Sequence, residues 1–184
     1  MNTTFLKNFL VALAIALPLA VPSSAMAASK AELNASSQAA LNKLLADAPV
    51  AAALNKKAVA VLVFPSITKA GFMVGGQYGE GVLFERGKPV GYYNTAGASY
   101  GLQIGAQQYG YAMFFMTRAA VDSLNSAQGF EVGVGPSVVV IDEGMGKNLT
   151  TKNMTDDVYA IVFGQKGLMA GIGIQGNKIT KLKK

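Results

Sequence analysis

Residues 71–75 read Gly-Phe-Met-Val-Gly, with a glycine at each end of a short apolar segment. The same pattern of glycine, large apolar, any residue, apolar and glycine recurs at residues 101–105, 129–133 and 167–171. In a strand, residues four apart share a face, so each unit leaves one face bare at both ends. Glycine weakens a strand interior by roughly 0.5–1 kcal/mol. Four such units therefore indicate related strands that are sharply curved or closely approached by other backbone.

The sequence around these units also favours strands. Residues 58–64 are a continuous apolar run rich in Val, which predicts a strand buried on both faces. Further strand candidates follow at short intervals: 71–77, 81–86, 90–94, 99–108, 111–116, 130–134, 138–142, 158–163 and 168–174. The connections are too short for crossover helices. The pattern predicts an α+β fold with a strongly curved, glycine-rich antiparallel β-sheet, either a sandwich or a partly closed barrel.

Two helices accompany the predicted sheet. Residues 29–48 have Ser29 as N-cap, Glu32 as its capping-box partner and Pro49 directly after the helix. An apolar stripe on this segment consists of Leu41, Leu44, Leu45 and Ala48. The segment is therefore predicted to be an amphipathic helix that packs on the sheet or, alternatively, lies on a membrane. Residues 118–125 predict one short internal helix.

The first 27 residues have the pattern of a cleavable export signal. Lys7 supplies the positive charge, residues 9–20 are apolar, and Ala25-Met26-Ala27 is a small-x-small cleavage site. The apolar run is too short to cross a bilayer, which takes about 20 residues. We expect cleavage after Ala27 and a periplasmic or secreted product.

The rest of the chain divides into two parts by composition. Residues 28–57 predict an N-terminal helix followed by a basic linker, and residues 58–184 predict the glycine-rich β domain. The chain has no Cys, so an exported form is held together by packing and hydrogen bonds alone.

The charge of the chain is moderately positive, at +6. Its lysines concentrate before the first strand and at the C-terminal end: Lys56, Lys57, Lys178, Lys181, Lys183 and Lys184. Such lysines suit an anionic phospholipid or membrane surface, although exposed lysines also serve only solubility. No nucleic-acid-binding motif accompanies them, so nucleic acid is not an expected partner.

Catalytic chemistry is not expected. Residues 97–101 match the Gly-x-Ser-x-Gly pattern around a hydrolase nucleophile, but Ser99 needs a general base and the chain contains no His. His and Cys, the best ligands for catalytic metals, are both absent. We expect no cofactor and no metal centre, with a weak Ca²⁺ site at Asp142-Glu143 or Asp156-Asp157 left open.

Two glutamines form a candidate polar stripe. Gln103 and Gln107 lie on the same strand face as Tyr109, where their amides could read a lipid headgroup by hydrogen bonds. The alternative is an outer face exposed to water.

Three blocks of this sequence resemble the SYLF-domain family. They are residues 63–81 (VFPSITKAGFMVGGQYGEG), 97–107 (GASYGLQIGAQ) and 166–171 (KGLMAG), in the same order and at similar separations. The resemblance extends from about residue 41 to residue 179. It implies a non-enzymatic lipid-binding module, since eukaryotic members bind phosphoinositides and other acidic phospholipids and some bind actin.

The resemblance also implies where lipid would bind. Basic residues and an amphipathic N-terminal helix are credited with lipid binding in the family, and Lys56, Lys57 and Lys69 match that role here. This sequence departs from the family because its N-terminal helix has few cations and follows a predicted signal peptide. We therefore expect anionic bacterial phospholipid as the partner, rather than phosphoinositide or actin, with an envelope protein as the alternative.

Overall fold

The computed structural model describes residues 29–126, 129–132, 137–141, 154–167 and 176–184. These residues form three helices and six strands. The helices are α1 (Lys30–Asp47), α2 (Pro49–Lys57) and α3 (Arg118–Leu124). The strands are β1 (Ala60–Glu85), β2 (Lys88–Phe115), β3 (Phe130–Glu131), β4 (Val138–Ile141), β5 (Val158–Gly167) and β6 (Lys178–Leu182). Of these helices, none is both long and apolar enough to cross a membrane.

The sheet is organised around β2. The whole length of β1 pairs with one edge of β2, and the two strands are joined by the turn Arg86-Gly87, where both residues have positive φ. On the other edge of β2, β5 pairs with residues 107–115 and β6 with residues 92–96. Outside these, β4 pairs with β5 and β3 pairs with β6. The sheet curls into a half-barrel, which confirms the predicted α+β fold.

Both long strands run without a break through stretches where the sequence predicts several separate strands. The first two glycine units face each other in this ladder, with Gly71 opposite Gly105, and the register shifts between Phe72 and Val74. Beyond this point β1 turns back over its own beginning. A Cβ on Gly81 would lie 2.5 Å from the carbonyl oxygen of Val63. Glycine lets the strands bend here instead of ending.

The structure differs from the sequence predictions at three further places. Residues 49–57 form helix α2, with Pro49 at its first turn, where the sequence predicts a linker. Strand β6 was not predicted, because its alternating Lys residues read as a basic tail. The β4–β5 pair is parallel within an otherwise antiparallel sheet. The predicted strand 168–174 lies outside the described residues.

Helix α1 begins as predicted. The Ser29 backbone N–H donates to the Glu32 carboxylate (3.0 Å), and the Glu32 N–H donates to Ser29 Oγ (3.2 Å), so the capping box is confirmed. The Ser29 hydroxyl also donates to this carboxylate (2.9 Å), and the bonds from the Ser29 N–H and hydroxyl lower the pKa of Glu32. Leu41 and Leu44 from the predicted stripe are buried. The helix therefore packs on the sheet.

Two hydrophobic cores lie on opposite faces of the sheet. The inner core fills the half-barrel and includes Leu62, Phe64, Tyr111, Met113 and Phe115. The outer core lies between the sheet and the first two helices and includes Leu44, Leu54, Val61, Val63 and Phe114. Residues 60–64 contribute alternately to both cores, which confirms the prediction of a strand buried on both faces.

Candidate functional site

Four of the predicted lipid-binding lysines lie on the surface. Lys56 and Lys57 are exposed in the last turn of α2, a helix whose sequence contains no acid. Lys181 and Lys183 are exposed at the end of the chain, where Lys181 Nζ donates to the Asn125 side-chain oxygen (3.2 Å). These ammonium groups are placed where an approaching anionic surface can meet them.

The other two predicted lysines are placed differently. Lys184 Nζ lies 2.6 Å from the Glu80 carboxylate, and both side chains are mostly buried, with 13% and 11% exposed. Lys69 is only 6% exposed and faces the inside of the half-barrel from β1. Neither side chain shares the surface position of Lys56 and Lys57, so a membrane surface would not meet either ammonium directly.

Gln107 also points inward. It lies directly opposite Lys69 in the β1–β2 ladder and is 3% exposed. Directly opposite residues share a face, with Cβ atoms about 4.5–5.5 Å apart. Gln107 is therefore not on the water-exposed face that was the alternative for the glutamine stripe. The side chain of Gln103 lies outside the described part of the structure.

Around Gln107 the half-barrel contains a set of buried polar side chains, here called the interior cluster: Lys69, Gln77, Gln107, Tyr109 and Asn177. The Tyr109 hydroxyl donates to Gln77 Oε1 (2.5 Å), and the Gln77 amide donates to Asn177 Oδ1. Tyr109 and Gln107 are two residues apart on β2, so they lie on one face. The cluster joins β1, β2 and the residue before β6.

Gly97 makes room for the cluster. A Cβ at position 97 would overlap Asn177 Oδ1 and would lie 3.0 Å from the Gln77 amide nitrogen. Gly97 is opposite Gln77 in the ladder, so the missing side chain is what lets Asn177 reach across β2. Any larger residue at this position would push the Asn177 amide out of the interior.

Burial raises the pKa of Tyr109 and of its neighbour Tyr111. It raises the pKa of Tyr109 to about 12, with the nearby Asn177 side chain offsetting part of the effect. Burial also raises the pKa of Tyr111, whose hydroxyl donates to Thr95 Oγ1 (2.9 Å). Both phenols therefore stay neutral at ordinary pH, and Tyr109 acts as a hydrogen-bond donor rather than an anion.

Two amide atoms of the interior cluster are left without a partner among the described residues. They are the Gln107 acceptor Oε1 and the Asn177 donor Nδ2, and both are buried. Asn177 Nδ2 lies close enough to the Tyr109 and Tyr111 hydroxyls to influence their pKa, but it forms a hydrogen bond with neither. A buried polar atom without a hydrogen bond costs about 1–3 kcal/mol. The cluster thus has hydrogen-bonding capacity that its own side chains do not use. In the described ranges, no group of three or more Asp or Glu converges to hold a metal ion.

The described residues form an α+β half-barrel whose interior contains buried amide atoms without a hydrogen-bond partner. Residues 96–184 match the family described as Ysc84, Las17-binding protein actin regulator. This match confirms the SYLF-domain resemblance over residues 96–184. No curated protein matches the chain.

Sequence reasoning did not find Gln77, Tyr109 or Asn177 as site residues. Gln77 and Asn177 are 100 residues apart in the chain and meet only through the curl of β2 and the position of β6. One signal was present in the sequence, because Gln77 and Gln107 both lie within the glycine-rich blocks that carry the family resemblance. Asn177 had no such signal, since it follows the last block.

Proposed function

We propose that this protein is an exported, non-enzymatic lipid-binding domain that attaches peripherally to anionic phospholipid. The observation that carries the proposal is the exposure of Lys56, Lys57, Lys181 and Lys183 on a chain whose residues 96–184 match the Ysc84 family. Lys56 and Lys57 are consecutive and end an acid-free helix. Coulomb attraction to anionic headgroups then draws the domain to the membrane.

The energy of this attachment is modest. Each lysine near an anionic surface contributes about 1 kcal/mol, and this attraction decays within a Debye length of about 8 Å at physiological salt. Four lysines therefore give weak, salt-sensitive binding. A further contact must supply the rest of the affinity, either apolar insertion or a site for the headgroup.

The absence of catalysis is part of the proposal. The chain has neither His nor Cys to act as base or thiolate. Ser99 lies within β2, opposite Gly75 in an antiparallel ladder, whereas the hydrolase nucleophile occupies a turn from strand to helix. Hydrolysis that disappeared in Ser99→Ala would contradict this part of the proposal.

Export is proposed from the signal pattern at residues 1–27. The charged Lys7, the apolar run 9–20 and the Ala25–Ala27 cleavage site support it. Fractionation of the producing cell followed by N-terminal sequencing tests it. We expect a periplasmic or secreted product that begins at Ala28; a product that begins at residue 1 in the cytoplasm would contradict export.

Vesicle co-sedimentation tests the lipid part of the proposal. The native chain should sediment with phosphatidylglycerol vesicles at low salt, less at high salt, and little with neutral phosphatidylcholine vesicles. The variant Lys56→Glu with Lys57→Glu should lose most of this binding. A control variant, Lys43→Glu with Lys88→Glu, changes the net charge equally at other exposed positions and should bind more strongly than the Lys56/Lys57 variant. Equal recovery on neutral and anionic vesicles would refute electrostatic attachment.

A second function, docking of an envelope protein, is favoured by the family description, which names a protein partner. Strand β4 offers a surface for it, because it is the last strand on its side of the described sheet. Cross-linking in intact cells separates the two functions. One dominant protein adduct, together with no vesicle binding by the purified chain, would favour docking over lipid binding.

A further inference from the structure

Lys69 is a buried cation for which the surrounding strands supply no carboxylate. Strands β2, β5 and β6 contain no Asp or Glu. The acids of β1 are Glu80 and Glu85, which pair with Lys184 and Arg118. None of the ion pairs between described residues includes Lys69. Lys69 therefore has no carboxylate partner among the described residues, and its ammonium can pair with an anion from outside the chain.

The two unused amide atoms belong to the same interior cluster as Lys69. Asn177 Nδ2 is a donor on a side chain that is 1% exposed, and Gln107 Oε1 is an acceptor directly opposite Lys69. A ligand that satisfies all three groups must carry negative charge, accept a hydrogen bond and donate one. A phosphate group with a hydroxyl meets these needs: its oxygens accept from Lys69 and Asn177, and its hydroxyl donates to Gln107.

The positions beside the Lys69–Gln107 pair are glycines. Gly71 and Gly105 are opposite each other and lie two residues beyond Lys69 and Gln107 on the same inner face. On the other edge of β2, the residue opposite Gln107 is Gly167. Around the Lys69–Gln107 pair, three neighbouring positions therefore carry no side chain. The glycine units that shape the fold also bare the inner face beside the cation.

We propose that the interior cluster binds one hydroxyl-bearing phosphate group, with Lys69 neutralising its charge, Asn177 donating to it and Gln107 accepting from it. The hydrogen-bonded pair of Tyr109 and Gln77 holds Asn177 in place. The phosphate belongs to a glycerol-phosphate type headgroup, whose glycerol supplies the hydroxyl, or is free in solution as hydrogen phosphate, which carries its own. Because the site lies inside the half-barrel, it is separate from the exposed lysines, and it does not depend on the peripheral attachment proposed above.

Isothermal titration of the purified chain tests the site with inorganic phosphate, glycerol 3-phosphate and sulfate. Sulfate is similar in size and charge, but it has no hydroxyl near neutral pH and leaves Gln107 without a donor. We expect binding of both phosphates and at least about tenfold weaker binding of sulfate. No heat from either phosphate at millimolar concentration, or sulfate binding as tightly as phosphate, would overturn the proposal.

Lys69→Met keeps most of the length of the side chain and removes its charge. It should weaken phosphate binding by about tenfold or more, because a charge-assisted hydrogen bond in a buried site is lost. Lys56→Met is the matched control, since it removes one exposed lysine and should leave the phosphate affinity unchanged. Equal affinities of Lys69→Met and Lys56→Met would refute the role of Lys69.

Gln107→Glu distinguishes ligand binding from a purely structural role. A carboxylate opposite Lys69 pairs with the cation inside the chain and repels phosphate. We therefore expect this variant to unfold at a higher urea concentration than the native chain while losing phosphate binding. Because stability and binding move in opposite directions, a misfolded variant cannot imitate the result. Retained phosphate binding in this variant would contradict the assignment.

Competition identifies the source of the phosphate. If the headgroup is the ligand, phosphatidylglycerol vesicles should displace bound glycerol 3-phosphate from the native chain, and Lys69→Met should weaken vesicle binding at high salt. If free phosphate is the ligand, phosphate binds and vesicles do not displace it. Vesicle binding with no phosphate binding would refute the interior site and leave peripheral attachment standing. Phosphate binding with no vesicle binding would refute peripheral attachment and support the interior site.

Discussion

Gly81 lies where β1 turns back over its own beginning, and a methyl group has no room there. A Cβ at this position would lie 2.5 Å from the Val63 carbonyl oxygen and 2.6 Å from the Phe64 ring carbon Cδ1. Gly76 lies in the same strand but has an open environment, since the nearest atom to its Cβ would be the Gly97 carbonyl oxygen at 3.9 Å. Gly81→Ala and Gly76→Ala therefore form a matched pair.

The two substitutions should change stability in opposite directions. Replacing a strand glycine by alanine recovers about 0.5–1 kcal/mol of backbone entropy at both positions. At Gly81 this gain is outweighed by overpacking, which costs about 1–3 kcal/mol because the Val63 backbone and the Phe64 ring must move apart. We expect Gly76→Ala to stabilise the protein by about 0.5–1 kcal/mol. We expect Gly81→Ala to destabilise it by about 1–2 kcal/mol.

Equilibrium urea unfolding measures both effects. The chain has 7 Tyr and no Trp, so tyrosine fluorescence and far-ultraviolet circular dichroism report the transition. The unfolding midpoint should rise for Gly76→Ala and fall for Gly81→Ala, with similar slopes for both. A Gly81→Ala midpoint equal to or above that of Gly76→Ala would show that β1 does not fold back on itself as described.

Two further predictions concern buried polar groups. Tyr109→Phe removes a buried hydrogen bond to Gln77 and should destabilise the protein by about 1–2 kcal/mol. Because burial raises the pKa of Tyr109 from 10.0 to about 12, the folded state keeps a proton that the unfolded state releases. The stability of the native chain should therefore fall as pH rises from 10 to 12, and Tyr109→Phe should flatten that decline in urea titrations at several pH values. Lys184→Met leaves the Glu80 carboxylate mostly buried without this partner, and thermal unfolding should show a loss of about 2–4 kcal/mol. Lys43→Met, which breaks the exposed Lys43–Asp47 pair, should cause no measurable change, and equal effects of the two variants would contradict the assignment of a buried pair.

Much of the fold was predictable from local patterns. The capping box at Ser29 and Glu32, the short helix after Thr117 and the strand buried on both faces each depend on residues close together in the chain. The boundaries between strands were less predictable. A glycine can end a strand or bend it, and whether the strand continues depends on its pairing with a partner strand. This is why β1 and β2 are continuous.

The candidate site was less predictable than the fold. The lysines at 56, 57, 181 and 183 were found because charge in polar stretches usually lies on the surface. Lys69 was named from the family resemblance, but nothing in its local sequence showed that it would point inward. The burial of Lys69 and Gln107 depends on which face of the curled sheet is enclosed, and a period-two pattern does not distinguish the two faces when both are apolar nearby.

Composition and local spacing alone determined that this chain lacks imidazole and thiol, that glycine recurs at four-residue intervals, and that Ser29 caps helix α1. The first follows from composition, and the other two follow from residues within a few positions of one another. Only the tertiary structure decided that Lys69, Gln107 and Asn177 are all buried. Their burial depends on the curl of a hairpin and on β6 pairing with its middle, and these contacts join residues that are far apart in the chain.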